Sequence, residues 1–188
     1  MKINGLILAA GNSSRLGQPK QLLKYQGKSL LADVEDKLVN CCDQVFVVLG
    51  YQPELFKREI NNAQIIENPN WQSGIGSSLI CGAKIAMKNS DGLLIVLSDQ
   101  PKITAEHYQL LAEKFKKNSN HIIASHYKKQ SGVPVIFPNS YFKKLTQIEA
   151  QKGAKWVINQ HSDRVKIIIC ESAGFDVDTV EDMIELAN

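Results

Sequence analysis

The chain has 188 residues, 44% apolar and 22% charged, an ordinary globular composition with enough length for a single α/β domain spanning 1–188 and an ample core. A formal charge of +3 without a run of five like charges gives no reason to expect a nucleic-acid or anionic-membrane surface, and no stretch reaches the roughly 18 apolar residues of a membrane span. Cys41, Cys42, Cys81 and Cys170 lie in apolar contexts without a CxxC pair, and the first apolar run passes into a glycine loop without a signal-peptide cleavage region, so a reducing, cytoplasmic setting is expected.

In chain order, Ile3, Leu6, Ile7 and Leu8 form a β-rich run that reads as a buried strand. It opens into LAAGNSSRLGQPK, Leu8 to Lys20. From Ser29, the apolar residues Leu30, Leu31, Val34, Leu38 and Val39 recur at helical spacing. Val45 to Leu49 reads as a second buried strand ending at Gly50, Pro53 opens a helix through Ile60, and Gln64 to Glu67 is a short strand. Asn68, Pro69 and Asn70 break the chain, and Ser73 to Ser78 form a second glycine-rich loop before a helix carrying Leu79, Ala83, Ile85 and Met87.

Leu93 to Leu97, the most apolar strand, delivers Ser98, Asp99 and Gln100 to its C-terminal end, where open parallel sheets gather ligands. Thr104 caps a helix with Leu110, Leu111 and Phe115, and Ile122 and Ile123 begin a further strand. Val133 to Phe137 reads as an added strand entered from the polar segment Lys128 to Ser131. Short helices are expected over Tyr141 to Leu145 and Ala154 to Ile158, a last strand over Val165 to Ile169, and a C-terminal helix from Val180. The alternation predicts a Rossmann-like three-layer α/β/α fold: a doubly wound, mostly parallel sheet between helices, with one antiparallel strand.

The first loop is built to hold phosphate. Gly11 and Gly17 permit backbone angles that side chains forbid, Asn12, Ser13 and Ser14 are turn formers, and successive N–H groups of such a loop form an anion-binding concavity. Arg15 grips phosphate oxygens through paired N–H bonds, and Lys20 adds a point charge. The two commonest phosphate loops are excluded. Five residues separate Gly11 from Gly17, the lysine follows three places later behind Pro19, and GxGxxG is absent. Polyphosphate of this charge calls for a hard cation, and Mg²⁺ binds through one or two carboxylates plus phosphate oxygens and water. Asp99 and Asp178 are the candidates. Asp176 and Asp182 lie close by, and DVDTVED also fits a capping sequence for the last helix. His107, His121, His126 and His161 lack metal spacing, have no GxSxG serine beside them, are assigned no catalytic role, and are expected mostly at the surface.

The motif LAAGxSxRxGxPKxL resembles the signature of nucleotidyltransferases acting on the molybdenum cofactor, within the wider sugar-nucleotide pyrophosphorylase-like family. NPNWQSGIGSSL, LSDQP, GVPVIF and FDVDTVEDM continue the likeness in order along nearly the whole chain. The resemblance implies a nucleotide site at Leu8, Ala9, Ala10, Gly11, Ser13, Arg15 and Lys20, with base and ribose contacts from Gly74, Ser77 and Ser78, and Gly50 beside them. A plain helix N-terminus explains the serines as well. It further implies catalytic roles for Arg15, Lys20 and Asp99, and metal binding by Asp99 with Asp178. Ala10 with Asp99, Gln100 and Pro101 looks closer to the cytidylyltransferase branch, which joins CMP from CTP to molybdopterin, with a recipient molybdoenzyme as a further partner. GTP, a sugar-phosphate acceptor and a non-catalytic accessory role are the alternatives. Where relatives often carry histidine between glycine and proline of GxPVxF, this chain has Val133.

Overall fold

The structure, a computed structural model, describes residues 1–187. Chain order is β1 (Ile3–Leu8), β2 (Lys24–Tyr25), β3 (Lys28–Ser29), α1 (Leu30–Val39), β4 (Gln44–Leu49), β5 (Gln64–Glu67), α2 (Ile75–Ala86), β6 (Gly92–Leu97), α3 (Ala105–Lys117), β7 (Ile122–Tyr127), β8 (Gln130–Pro138), α4 (Phe142–Leu145), α5 (Ala154–Gln160), β9 (Val165–Ile169) and α6 (Val180–Ala187). The main sheet has seven strands in the order β5-β4-β1-β6-β8-β7-β9. Only β8 runs against its neighbours; β1 pairs in parallel with β4 and β6, and β9 in parallel with β7. This is the single-domain, mostly parallel α/β/α architecture read from the alternation of elements.

Every residue of β1 is buried, as a central strand covered on both faces requires. Leu6 and Leu8 face the cluster under α2, α4 and α5, while Ile3 and Ile7 face the one under α1 and α3. A fully buried leucine such as Leu6 contributes roughly 2 kcal/mol. The buried amide of Asn4 is satisfied by donating to Ala86 O at 2.7 Å, which ties the end of α2 to β1. Midway along that helix Gly82 faces the sheet, where a Cβ would lie 2.6 Å from Leu6 and Val48, so the glycine sets how closely α2 approaches.

Some local readings need correction. Pro53 to Ile60 is not an α-helix but two 3₁₀ turns, Pro53–Leu55 and Lys57–Glu59. Within this span only Phe56 is buried, too little of an apolar stripe to hold a short helix. The second glycine-rich loop is shorter than expected: α2 begins at Ile75 and takes Gly76, Ser77 and Ser78 into its first turn. A small hairpin, β2 with β3, turns at Gln26 and Gly27, both at positive φ (51° and 84°). Its two-residue strands carry too little alternation to be seen in sequence. The added strand begins at Gln130, because Lys128 and Lys129 form the turn out of β7 at φ 47° and 60°. His107 is buried rather than superficial, its Nε2 lying 2.7 Å from Ser125 Oγ, which donates to Pro134 O at 2.8 Å. Burial pushes that imidazole down to about 4.

Candidate functional site

The cleft lies at the C-terminal ends of β1 and β6, where the chain leaves the sheet centre in both directions. Backbone hydrogen bonds hold its floor: Ala9 N donates to Val48 O at 3.0 Å and Tyr51 N to Ala10 O at 3.1 Å. The loop after β1 is folded on itself by its own side chains. Ser13, at φ 52°, accepts from Lys20 N at 3.1 Å, and Gly17 turns at φ 71°. Gln21, almost fully buried, donates its amide to Ala9 O at 3.1 Å and Gly11 O at 3.0 Å. That side chain staples the two ends of the loop together.

From this frame two cations reach two carboxylates that lie far away in sequence. Lys20 Nζ bonds Asp99 Oδ2 and Asp178 Oδ1, the latter at 2.8 Å, and Arg15 Nη2 bonds Asp178 Oδ2 at 2.9 Å. Burial pulls the Lys20 ammonium down, but the charges and hydrogen bonds of Asp99 and Asp178 outweigh it and hold the group above the ordinary lysine value. The Lys20 hydrogen bond, helped by Arg15, holds the Asp178 carboxyl below the usual range. Both shifts favour the charged forms of Lys20 and Asp178.

The division of labour among the C-terminal acids follows from geometry. Asp182 Oδ2 accepts from Asp178 N at 2.9 Å and Thr179 N at 2.8 Å, and Thr179 Oγ1 accepts in return from Asp182 N at 3.2 Å. This reciprocal pair caps α6. The Asp178 side chain is thereby left to face the loop. Val177 N donates to Asp99 O at 2.9 Å and Gln100 Nε2 to Ala173 O at 2.8 Å, which fastens the 173–178 segment against the end of β6. Asp99 Oδ1 is buried without a hydrogen-bond partner. Two carboxylates, one with an unpaired inner oxygen, are a donor set that fits a hard divalent ion whose shell phosphate oxygens and water complete. Among the described residues no group of three or more His, Cys, Asp and Glu side chains makes a metal cage.

Two neighbouring hollows lie here. One of about 320 Å³ is lined by Leu8, Ala9, Ala10, Gly11, Lys20, Gly74, Ser78 and Asp99 among others; a second of about 160 Å³ is lined by Gly11, Asn12, Ser13, Ser14, Arg15, Lys20 and Asp178. Gly11 and Lys20 belong to both. Two residues expected near the nucleotide stand outside. Ser77 Oγ donates to Asn70 O at 2.8 Å and accepts from Asn68 Nδ2 at 2.9 Å, on a separate groove. Gly50 lies behind the wall: a Cβ there would come within 2.4 Å of Trp71 Cβ. The missed wall residue is Trp71 itself, which lines the larger hollow and meets the Tyr51 ring edge-on at 5.7 Å. Its signal was present, an aromatic between a chain break and a glycine-rich turn, as was that of Gln21 beside Lys20. Neither carries a role that sequence pattern alone assigns. Val133 is half-buried against the α2-side core.

Comparison with known proteins bears on the family and the fold. The profile of the MobA-like NTP transferase domain matches residues 5–165. The chain is 32% identical to nicotine blue oxidoreductase of Paenarthrobacter nicotinovorans, over 98% of its own length and 96% of that protein. It is 29% identical to molybdenum cofactor cytidylyltransferase of Escherichia coli (strain K12), over 57% of its length and 56% of that enzyme. Among solved structures, Rv0371c from Mycobacterium tuberculosis H37Rv superposes with a TM-score of 0.81 at 26% identity, covering 99% of this chain and 98% of that one. A second structure of that mycobacterial protein is a complex with manganese, with a TM-score of 0.80 at 23% identity over 99% and 98% of the two chains.

Proposed function

This chain belongs to the MobA-like NTP transferase domain family, and from that premise we propose that it transfers CMP from CTP to the phosphate of a molybdopterin-type acceptor with release of pyrophosphate. The observation that carries the reading is the meeting of Arg15 and Lys20 with Asp99 and Asp178 beside the two hollows. The larger hollow takes base and ribose against the Leu8–Gly11 backbone and Ser78, and the smaller takes the phosphates.

In the reaction an acceptor phosphate oxygen bonds to the α-phosphorus while the bond from that phosphorus to the α,β-bridging oxygen breaks, and pyrophosphate leaves with the electron pair. Little covalent help is needed from the protein; alignment and charge matter. Loop N–H groups and Arg15 hold the terminal phosphates, and Lys20 stabilises the charge that grows on the leaving group. Asp99 and Asp178 would hold Mg²⁺, which when bound would supply further neutralisation at the phosphates. Mg²⁺ is chosen because two carboxylates plus phosphate oxygens suit it, and a divalent ion in the mycobacterial relative supports that class of cofactor.

Calorimetry with CTP, GTP, ATP and UTP tests the base, and pyrophosphate release with CTP, Mg²⁺ and molybdopterin tests the reaction. Preference for GTP would overturn the cytidylyl reading; tight CTP binding without turnover would turn the protein into an accessory that hands the cofactor to a molybdoenzyme. A second reading comes from the likeness to nicotine blue oxidoreductase, which extends over nearly the full length of both chains. It predicts oxidoreductase activity on nicotine blue, and the visible absorbance of that compound, followed with an added reductant, decides it.

A further inference from the structure

Each oxygen that would be offered to a divalent ion, save one, is already held by a cation of the protein. Asp178 gives Oδ1 to Lys20 at 2.8 Å and Oδ2 to Arg15 at 2.9 Å, Asp99 gives Oδ2 to the same lysine, and only Asp99 Oδ1 has no partner. The side chains of Lys20 and Asp99 are each only 15% exposed, so this charge balance is set in a partly dry place where Coulomb forces are strong. The paired groups, two carboxylates and two cations, sum to zero, and Asp176 stands near them as a third carboxyl. A divalent ion entering alone would meet carboxylates whose oxygens are mostly taken. A triphosphate changes the sum, because Arg15 and Lys20 are also the cations nearest the phosphate hollow and cannot serve both sets of oxygens in full.

We propose that Arg15 and Lys20 keep the two carboxylates of the divalent-ion site closed until a triphosphate draws the cations away, so that metal and nucleotide bind with strong positive coupling. Lys20 is thus a tethered stand-in for the ion. The inference rests on the nucleotide reading above but adds to it an order of assembly. Coupling of this kind is reciprocal: whatever factor nucleotide adds to metal affinity, metal adds to nucleotide affinity.

The test uses Mn²⁺ as the probe and the paramagnetic resonance signal of the free ion as the readout, with a CTP analogue whose α,β-bridge is methylene. In the intact chain, Mn²⁺ is expected to bind at least about 10-fold more tightly with the analogue than without it. Lys20→Met is expected to bind Mn²⁺ alone at least about 10-fold more tightly than the unaltered chain, since two carboxylates lose their cation. Arg15→Ala, at a side chain 72% exposed and so harmless to folding, is expected to show a smaller gain of the same sign. Equal Mn²⁺ affinity with and without bound analogue, or no gain in either variant, overturns the proposal while leaving the nucleotide reading intact. Failure of the analogue to bind even in the presence of Mn²⁺ overturns both.

Discussion

The two glycine-bearing segments that border the cleft look alike in sequence and obey opposite rules in space. Around Gly11 and Gly17 of the first loop a Cβ would meet nothing within 4 Å. Around Gly74 and Gly76 it would strike backbone: 2.7 Å from Ala150 O at the former and 2.3 Å from Lys152 O at the latter. The first loop keeps space open for a ligand, and Gly17 supplies a left-handed turn at φ 71°. The second gives space away to residues 149–152, whose Ala150 carbonyl accepts from Ser77 N at 3.1 Å at the start of α2. Glycine in one place belongs to chemistry; in the other it belongs to packing.

The widest separation between activity and stability should come from the first loop. Lys20→Ala is expected to lower turnover about 100-fold or more, the scale of losing one preorganised donor to a developing charge. Its thermal midpoint should fall as well, because Asp99, only 15% exposed, loses its cation, but the variant should remain folded because the lysine lies outside the apolar core. Single-turnover pyrophosphate release with a parallel melting curve makes the comparison. A near-normal rate in a folded variant removes Lys20 from the mechanism.

Gly76→Ala should behave in the opposite way. A methyl group 2.3 Å from Lys152 O and 2.4 Å from Glu149 O forces either α2 or the 149–152 segment to shift, an overpacking cost of about 1–3 kcal/mol. For a chain of this length that corresponds to a fall in melting temperature of roughly 2–4 °C per kcal/mol. Loss of nucleotide affinity should follow only in proportion to the displaced wall. An unchanged melting temperature would show that the segment gives way freely and that the contrast between the loops is false.

What the sequence made legible and what it concealed divide along the same line. The strands were plain because central parallel strands must be apolar on both faces, and the first loop was plain because a phosphate-binding turn needs its residues adjacent in the chain. Asp99 was recognisable from its place at the end of the most apolar strand. Asp178 stood among three aspartates, since the same residue type serves caps and cation contacts; the hydrogen bonds from Asp178 N and Thr179 N to Asp182 were needed to assign the cap. The approach of residues 149–152 to Gly74 and Gly76 was hidden altogether, as it joins segments about 75 positions apart by tertiary proximity alone. Trp71 was hidden for a related reason: its place on the wall depends on Gly50, from another strand end, having no side chain.

Gly17→Ala sharpens the contrast at lower amplitude. The new side chain meets no neighbour, yet at φ 71° an L-residue with a Cβ is strained, so about 1 kcal/mol of stability should go without any clash. Denaturant unfolding should show the midpoint moving at constant slope, because the fold and its buried area are unchanged.

The smallest effect on stability, and the most telling, is expected at Gly11. Its φ is not in the left-handed region, and a Cβ there has open space on every side, so Gly11→Ala should leave unfolding within about 0.5 kcal/mol of the unaltered chain. That open space is nevertheless shared by both hollows, at the point where a ribose would give way to phosphate. A methyl group must then sit where the nucleotide backbone passes, and CTP affinity should fall while the melting temperature holds. Titration of the variant with CTP beside its melting curve reads both quantities on one sample. If binding is untouched, the nucleotide does not cross at Gly11 and the two hollows are separate sites; if stability falls instead, this glycine is a packing residue like Gly76.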